Sequence, residues 1–223
     1  SSWKHVSEVT PFYDVAASWD GDAPSQALTT HFERRGRRCW NTHLLWSLIP
    51  KGGRYIYVVR DPADAVVSFW HHLRNQRGAA GTYEGTLSEF AAEISDGTQP
   101  YGAWAAHVSD WAAAARDPSV LIVRYADMKR DAAAVVRRVA AHLGVENVDA
   151  DAIARLTSFE EMKADAKRYA PVSVDWAPGF EFIRAGRVGD GGVLDVDARR
   201  ALVAGLTESG RAVAFGDGGF GEL

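Results

Sequence analysis

The run RYIYVVRDPADAVVSFW, residues 54 to 70, constrains the fold more than any other feature of the chain. Residues 54 to 60 mix aromatic and β-branched side chains without polar alternation, the pattern of a parallel strand buried on both faces. Asp61 then supplies a helix N-cap and Pro62 a first helical residue. Ala65, Val66, Phe69, Trp70 and Leu73 recur at helical spacing along one face. This is a strand turning tightly into a helix.

The same grammar returns in SVLIVRYADMKRDAAAVVRRVAAHLGV. Val120 to Tyr125 read as a second buried strand, and Met128, Val135, Val136, Val139 and Leu143 form a helical stripe stopped by Gly144. Two strand-to-helix units predict an α/β fold with a central parallel sheet flanked by helices. Between them, Thr86 and Glu89 have the spacing of a capping box, and Trp104, Val108 and Trp111 stripe a further helix. Ser158 and Glu161 repeat the box signature. Residues 166 to 193 read as a long loop, Ala198, Ala201, Leu202 and Leu206 as a final helix, and the Gly-rich tail AFGDGGFGEL as loosely ordered. With no repeat, low-complexity tract or linker, residues 1–223 are expected to form a single domain.

Composition narrows the function classes. Hydrophobic residues make up 47% and charged residues 24% of the 223, which suits a chain with a real core and argues against disordered and collagen-like classes. No apolar run approaches the roughly 18 residues of a membrane span, and SSWKHVSEVT lacks the apolar segment of a signal peptide. Cys39 is the only cysteine, which excludes an internal disulfide and a cysteine-based zinc cluster and suits a reducing, cytoplasmic setting. A net charge of −4 argues against nonspecific nucleic-acid binding and leaves room for a local basic pocket.

In open parallel sheets, ligands bind beyond the carboxyl ends of the strands. Arg60 and Tyr125 sit at two such ends, and a guanidinium beside a helix N-terminus suits a phosphate dianion. Ser68, nearly two turns into that helix, would reach a ligand lying along it. An Arg at a strand end serves equally well as the partner of a nearby Asp. The phosphate loop GxxxxGK[ST] of nucleotide kinases does not occur in the chain.

RYIYVVRDPADAVVSFWHH, PYGAWAAHVSDW, VLIVRYADMKRDAAAVVRRVAAHLGV, LTSFEEMKADA and FIRAGRVGD occur in that order, and together they resemble the cytosolic sulfotransferases. The resemblance covers about residues 38 to 190. It implies an α/β fold related to the P-loop nucleotide kinases and a donor, 3′-phosphoadenosine 5′-phosphosulfate (PAPS), whose sulfuryl group passes to a hydroxyl or amine of a small acceptor, leaving 3′,5′-ADP. By the same resemblance Arg60, Ser68, Arg184 and Gly186 match contacts to the donor's 3′-phosphate, and Tyr125, Thr157, Phe159 and Met162 match residues near its adenine. A helix cap and core packing are the plain alternatives for the TSFEEM residues. His43 matches the family's general base and is singled out on that ground from seven histidines. Sulfuryl transfer of this kind rests on in-line positioning and charge stabilisation, with no metal.

The chain also departs from the pattern. The family's 5′-phosphosulfate loop, of the form YPKSGTTW, has no match in these residues, so the domain is expected to be N-terminally incomplete relative to the family. Asn41 and Ala185 stand where the family has lysines, and Gly191 where it has a tryptophan. GGVLDVDARRAL is a poor match to the dimerisation segment, which leaves the oligomeric state open. The alternative to a working transferase is a truncated or diverged noncatalytic binder of 3′-phosphorylated adenine nucleotides. Trp46, Phe69, Trp70, Tyr101 and Trp104 are candidates either for an acceptor pocket or for the core.

Overall fold

A computed structural model describes residues 4–14, 36, 38–78, 81–171 and 174–216. Strand β1 (Tyr55–Val59) leads through Arg60 and Asp61 into helix α1 (Pro62–Asn75), with the Asp61 side chain accepting from Asp64 N and Pro62 in the first turn. A two-residue strand β2 (Gln76–Arg77) follows, then α2 (Leu87–Asp96) and α3 (Trp104–Ala112). Strand β3 (Val120–Arg124) pairs with β1 in parallel, Tyr55 opposite Val120 through Val59 opposite Arg124. After it come α4 (Tyr125–Arg130), α5 (Ala132–Leu143), α6 (Ala150–Leu156) and α7 (Phe159–Ala164). A two-residue strand β4 (Asp175–Trp176) is antiparallel to β2, and α8 (Val196–Val203) and α9 (Glu208–Phe215) close the described chain.

Most local signals act as the sequence predicts. Thr86 and Glu89 make the reciprocal capping box of α2, whose C-cap Gly97 is left-handed at φ 75°. Ser158 caps α7 by accepting from Glu161 N. Several boundaries differ, each for a physical reason. The second strand ends at Arg124, and Tyr125 is already the first residue of α4. The single stripe from Met128 to Leu143 is two helices, broken where Asp131 takes φ −150° and turns its side chain to cap Ala134 N. The stretch read as loop contains short 3₁₀ turns at Ala166–Arg168 and Asp190–Val193, and β4, which ties it to the end of α1. The final helix ends at Val203, and α9, capped by Thr207, runs into the segment read as tail; residues 217–223 lie outside the described residues.

The expectation of a strand buried on both faces is corrected for β1. Tyr55, Tyr57 and Val59 face inward, while Ile56 and Val58 are exposed. The physical reason is the width of the sheet: among the described residues it is one parallel pair, so α3 and α9 cover one face of β1 and α5 lies against β3 rather than over β1.

Three clusters make the core. Ala63, Val66 and Val67 of α1 meet Phe90, Ala91 and Ile94 of α2 and Leu194 and Leu202. Val59 meets Ala105, Val108 and Ala112 of α3 with Val203, Leu206 and Val213. Trp111, Ala114 and Val120 pack with Trp46, Ile49, Tyr55 and Tyr57. Each fully buried Val, Leu or Phe contributes about 1.5–3 kcal/mol. The consequence for the site is that α1 and β1 are clamped from one side, leaving the carboxyl end of the parallel pair to be covered by loops.

Candidate active site

The register of the sheet creates the first half of the site. Because Val59 lies opposite Arg124, the next residues of the two strands, Arg60 and Tyr125, emerge side by side. The Arg60 guanidinium lies over the Tyr125 ring, 4.6 Å from its centroid. One terminal nitrogen donates to the carbonyl of Arg187 at 3.2 Å and stands 3.9 Å from Asp64 Oδ2. Arg60 Nε is buried and has no hydrogen-bond partner among the described residues. A buried guanidinium N–H without an acceptor is costly, and an anionic ligand is a natural remedy. The Asp alternative for Arg60 is therefore real as well: Asp64 is its neighbour, and burial holds the adjacent Asp61 carboxyl above the usual range.

The loop from Arg184 to Gly191 closes over this end of α1. Asp64, 2% exposed, accepts from Gly189 N at 2.9 Å and Gly191 N at 2.6 Å. Gly191 lies so close to α1 that an added Cβ would overlap Ala63, which explains in this chain why no larger residue stands there. Asp190 accepts from Arg187 and, at 2.5 Å, from Arg184; these two guanidiniums hold its carboxyl below the usual range. Arg184 reaches far enough towards α1 to act on His71, whose pKa is lowered by burial and then by that guanidinium. Ser68 is one turn before His71 on the same helix. Ser68 is half-buried in the middle of α1, whereas Arg60 precedes the helix and Arg184 acts on it further along, at His71.

The adenine-side candidates are less uniformly gathered. Gly186, matched to the 3′-phosphate, lies beside one of them: at φ 60° it packs against the Phe159 ring, so that an added Cβ would overlap it, and Lys129 and Lys163 each place an ammonium 5.8 Å from the same ring. Met162 is half-buried on the same short helix. Thr157 is exposed, and its hydroxyl donates to the Ile153 carbonyl at 2.9 Å, the helix-end role that was the plain alternative.

His43 forms the second half. Phe12 bridges Asn41 in parallel, with Tyr13 N donating to Asn41 O at 2.7 Å and Asn41 N to Pro11 O at 2.8 Å. This short ladder sets Asp14 beside His43, whose backbone N and ring Nδ1 lie 3.0 and 3.2 Å from Asp14 Oδ2. The imidazole is sandwiched, with Phe12 stacked at 4.9 Å and 5° and Tyr101 at 4.1 Å and 20°. Tyr101 achieves this at φ 76°, a conformation that an aromatic residue rarely adopts and that costs on the order of 1–2 kcal/mol. From α3, His107 Nε2 contacts the His43 carbonyl at 3.0 Å and Trp111 Nε1 donates to the Leu44 carbonyl at 3.1 Å. Burial lowers the pKa of His107 and of His72, the latter further by His43.

Helix α1 carries residues of both halves: His71 feels the Arg184 charge, while His72 feels His43 and Phe69 lies towards Tyr101. Of the aromatic candidates, Phe69, Trp70 and Trp104 pack against the α1–α2 core and Trp46 against the Trp111 cluster, whereas Tyr101, half exposed, stands on His43. Phe69 lies 6.3 Å from Tyr101, at the boundary of core and site. Trp176 and Phe182, 4.8 and 5.9 Å from His72, were not foreseen as part of this wall. Asp14, Asp64 and Arg187 were also missed. Only Asp64 leaves a trace in the sequence, as a charge set between the buried Ala63 and Val66.

The sulfotransferase domain family model matches residues 4–191, and the chain belongs to that family. It is 28% identical over 162 residues to a 3-beta-hydroxysteroid sulfotransferase of Cavia porcellus, covering 69% of this chain and 56% of the relative. It is 31% identical over 175 residues to sulfotransferase 1A1 of Mus musculus, covering 73% and 59%. The chain thus spans somewhat over half the length of these relatives. Among solved structures, mouse sulfotransferase SULT7A1 complexed with PAP superposes with a TM-score of 0.68 at 28% identity, over 85% of this chain and 74% of that one. A retinol dehydratase in complex with retinol and PAP, at 21% identity and a TM-score of 0.71 over 92% and 72%, shares the fold. Among the described residues no helix is long and apolar enough to cross a membrane, and no group of three metal-ligating side chains gathers.

Proposed function

We propose that this chain carries the 3′-phosphate and acceptor sides of a sulfotransferase that moves a sulfuryl group from PAPS to the hydroxyl of a small acceptor. The observation that carries the reading is Arg60: a guanidinium at the carboxyl end of a parallel strand, stacked on Tyr125, with a buried Nε lacking an acceptor. The 3′-phosphate would be held by Arg60, Ser68 and Arg184, with the latter sharing Asp190. The adenine would lie towards Tyr125, Phe159 and Met162, with Thr157 at the rim. Gly186 would keep the loop close to Phe159.

At the other end, His43 would accept the acceptor's hydroxyl proton. The acceptor oxygen forms a bond to sulfur as the bond from sulfur to the 5′-phosphate oxygen breaks, giving the sulfate ester, 3′,5′-ADP and a proton on His43. General-base help of this kind is worth about 10²- to 10⁴-fold. The aromatic wall of Phe12, Tyr101, Phe69, His72, Trp176 and Phe182 suits an acceptor with an apolar body.

Calorimetric titration with 3′,5′-ADP, beside 5′-AMP, tests the donor half. Tighter binding of 3′,5′-ADP is expected; equal or absent binding of the two would refute a 3′-phosphate site at Arg60. Transfer of sulfuryl from PAPS to simple phenols and alkanols, lost in His43→Ala, tests the acceptor half. Binding without transfer to any acceptor would instead favour a nucleotide-binding chain without turnover.

A further inference from the structure

The ladder between residues 11–13 and Asn41 brings a carboxylate to the imidazole of His43 across 29 residues of sequence. Asp14 Oδ2 accepts the backbone N–H of His43 at 3.0 Å, so that oxygen is an acceptor, and the ring nitrogen 3.2 Å from the same atom must be a donor. The proton of a neutral His43 ring therefore sits on Nδ1. Nε2 has no hydrogen-bond partner among the described residues, which leaves its lone pair available. The stacked faces of Phe12 and Tyr101 restrict rotation of the ring about its plane, and Tyr101 takes its left-handed backbone conformation to do so. The side chain of Asp14 is 14% exposed and that of His43 33%, while Asp14 as a whole residue is exposed, so the pair is only partly shielded from water.

We propose that Asp14 is a positioning residue for His43: it fixes the Nδ1–H tautomer and ring orientation, making Nε2 the nitrogen that receives the acceptor's proton. This rests on His43 as the base. The acid–base groups facing the ring are Asp14 and Tyr101, with His72 from α1 and His107 from α3 nearby; His107 contacts the His43 carbonyl rather than its ring. None of them offers Nε2 a competing acceptor. A carboxylate that sets the tautomer of a catalytic histidine has a large effect elsewhere: in the Ser-His-Asp triad, Asp-to-Asn replacement lowers kcat about 10⁴-fold by leaving the wrong tautomer.

The test reads the tautomer directly on this chain, by long-range proton–nitrogen correlation spectra of ¹⁵N-labelled histidine rings, with His43→Gln to assign the signal. At a pH where the ring is neutral, the unsubstituted protein should show His43 protonated on Nδ1. Asp14→Asn should shift the population towards Nε2–H, and Asp14→Glu should keep more of the Nδ1–H form than Asn does. An Nε2–H ring in the unsubstituted protein would overturn the proposal without any variant. So would a tautomer population unchanged in Asp14→Asn. Because this readout needs no turnover, it is separable from the reading it extends: His43→Ala without effect on transfer would remove the base while leaving the Asp14–His43 geometry measured.

Discussion

Replacement of Asp64 should loosen the loop that brings Arg184 to helix α1. Its carboxylate is 2% exposed and takes two backbone N–H groups, Gly189 at 2.9 Å and Gly191 at 2.6 Å. In Asp64→Ala both donors lose their partner, and no larger side chain at Gly191 can fill the gap because the glycine already touches Ala63. Hydrogen bonds to a charged group are worth about 1.5–3 kcal/mol each, so the expected loss is about 3–6 kcal/mol. For a domain of this length about 2–4 °C follows each kcal/mol, giving a fall in Tm of roughly 6–24 °C. Asp64→Asn keeps one acceptor and offers a donor to the second amide, so it should lose about half as much. Thermal and urea unfolding followed by circular dichroism measure both. The variants should also bind 3′,5′-ADP more weakly, since Arg184 and the Arg187 carbonyl that meets Arg60 ride on the same loop. A Tm within about 2 °C of the parent for Asp64→Ala would refute the reasoning, because it would mean that the two amides find other partners at negligible cost.

Gly186→Ala forces a side chain into the Phe159 ring at φ 60°, so 3′,5′-ADP binding should fall by tenfold or more; titration calorimetry checks this, and unchanged binding would contradict it. Arg60→Ala should weaken 3′,5′-ADP by about 10- to 150-fold, the equivalent of a charged hydrogen bond, and Arg60→Lys should recover little because stacking on Tyr125 and the fork geometry are lost; full recovery by Lys would show that only charge matters there. Burial lowers the pKa of His71, His72 and His107 in the folded chain. The unfolded chain then binds protons first, so stability is full above about pH 6.5 and falls as pH drops through that value towards their folded pKa values. A Tm that stays level from pH 7.5 to pH 5.5 would contradict this.

The strand-turn-helix unit at residues 54 to 75 was legible because its signals are local. A run of aromatic and β-branched residues, an Asx cap and a proline in the first turn act within a few residues of one another, and each acts where the sequence places it. The capping box at Thr86 is legible for the same reason. The break at Asp131 was hidden by the continuity of apolar residues on either side, although the Asp is itself a cap signal in the middle of the stripe. Helix α9 was masked by the glycines that follow it, since composition over a window outweighs eight residues with a good N-cap.

The candidate site divides along the same line. Arg60, Tyr125 and His43 follow from short motifs read in order. Trp176 and Phe182 lie over a hundred residues beyond His72, and Asp14 twenty-nine before His43, in stretches with no periodicity to announce them. Whether Trp46, Phe69, Trp70, Tyr101 and Trp104 face a pocket or a core was open on paper, because helical spacing describes a face without saying what covers it. Packing resolves it: four meet core clusters, and Tyr101 leaves the helical register to stand on His43.

The sequence by itself determined the α/β character, the parallel pairing of its two strong strands and the arginine at the carboxyl end of the first, since these rest on short-range periodicity, caps and turns. Only the tertiary structure decided that Ile56 and Val58 are exposed, that Asp64 latches the arginine loop, and that a carboxylate and two aromatic rings grip His43. Those outcomes depend on contacts between segments far apart in the chain, and their geometry is set by how the helices close over the sheet, which no local pattern encodes.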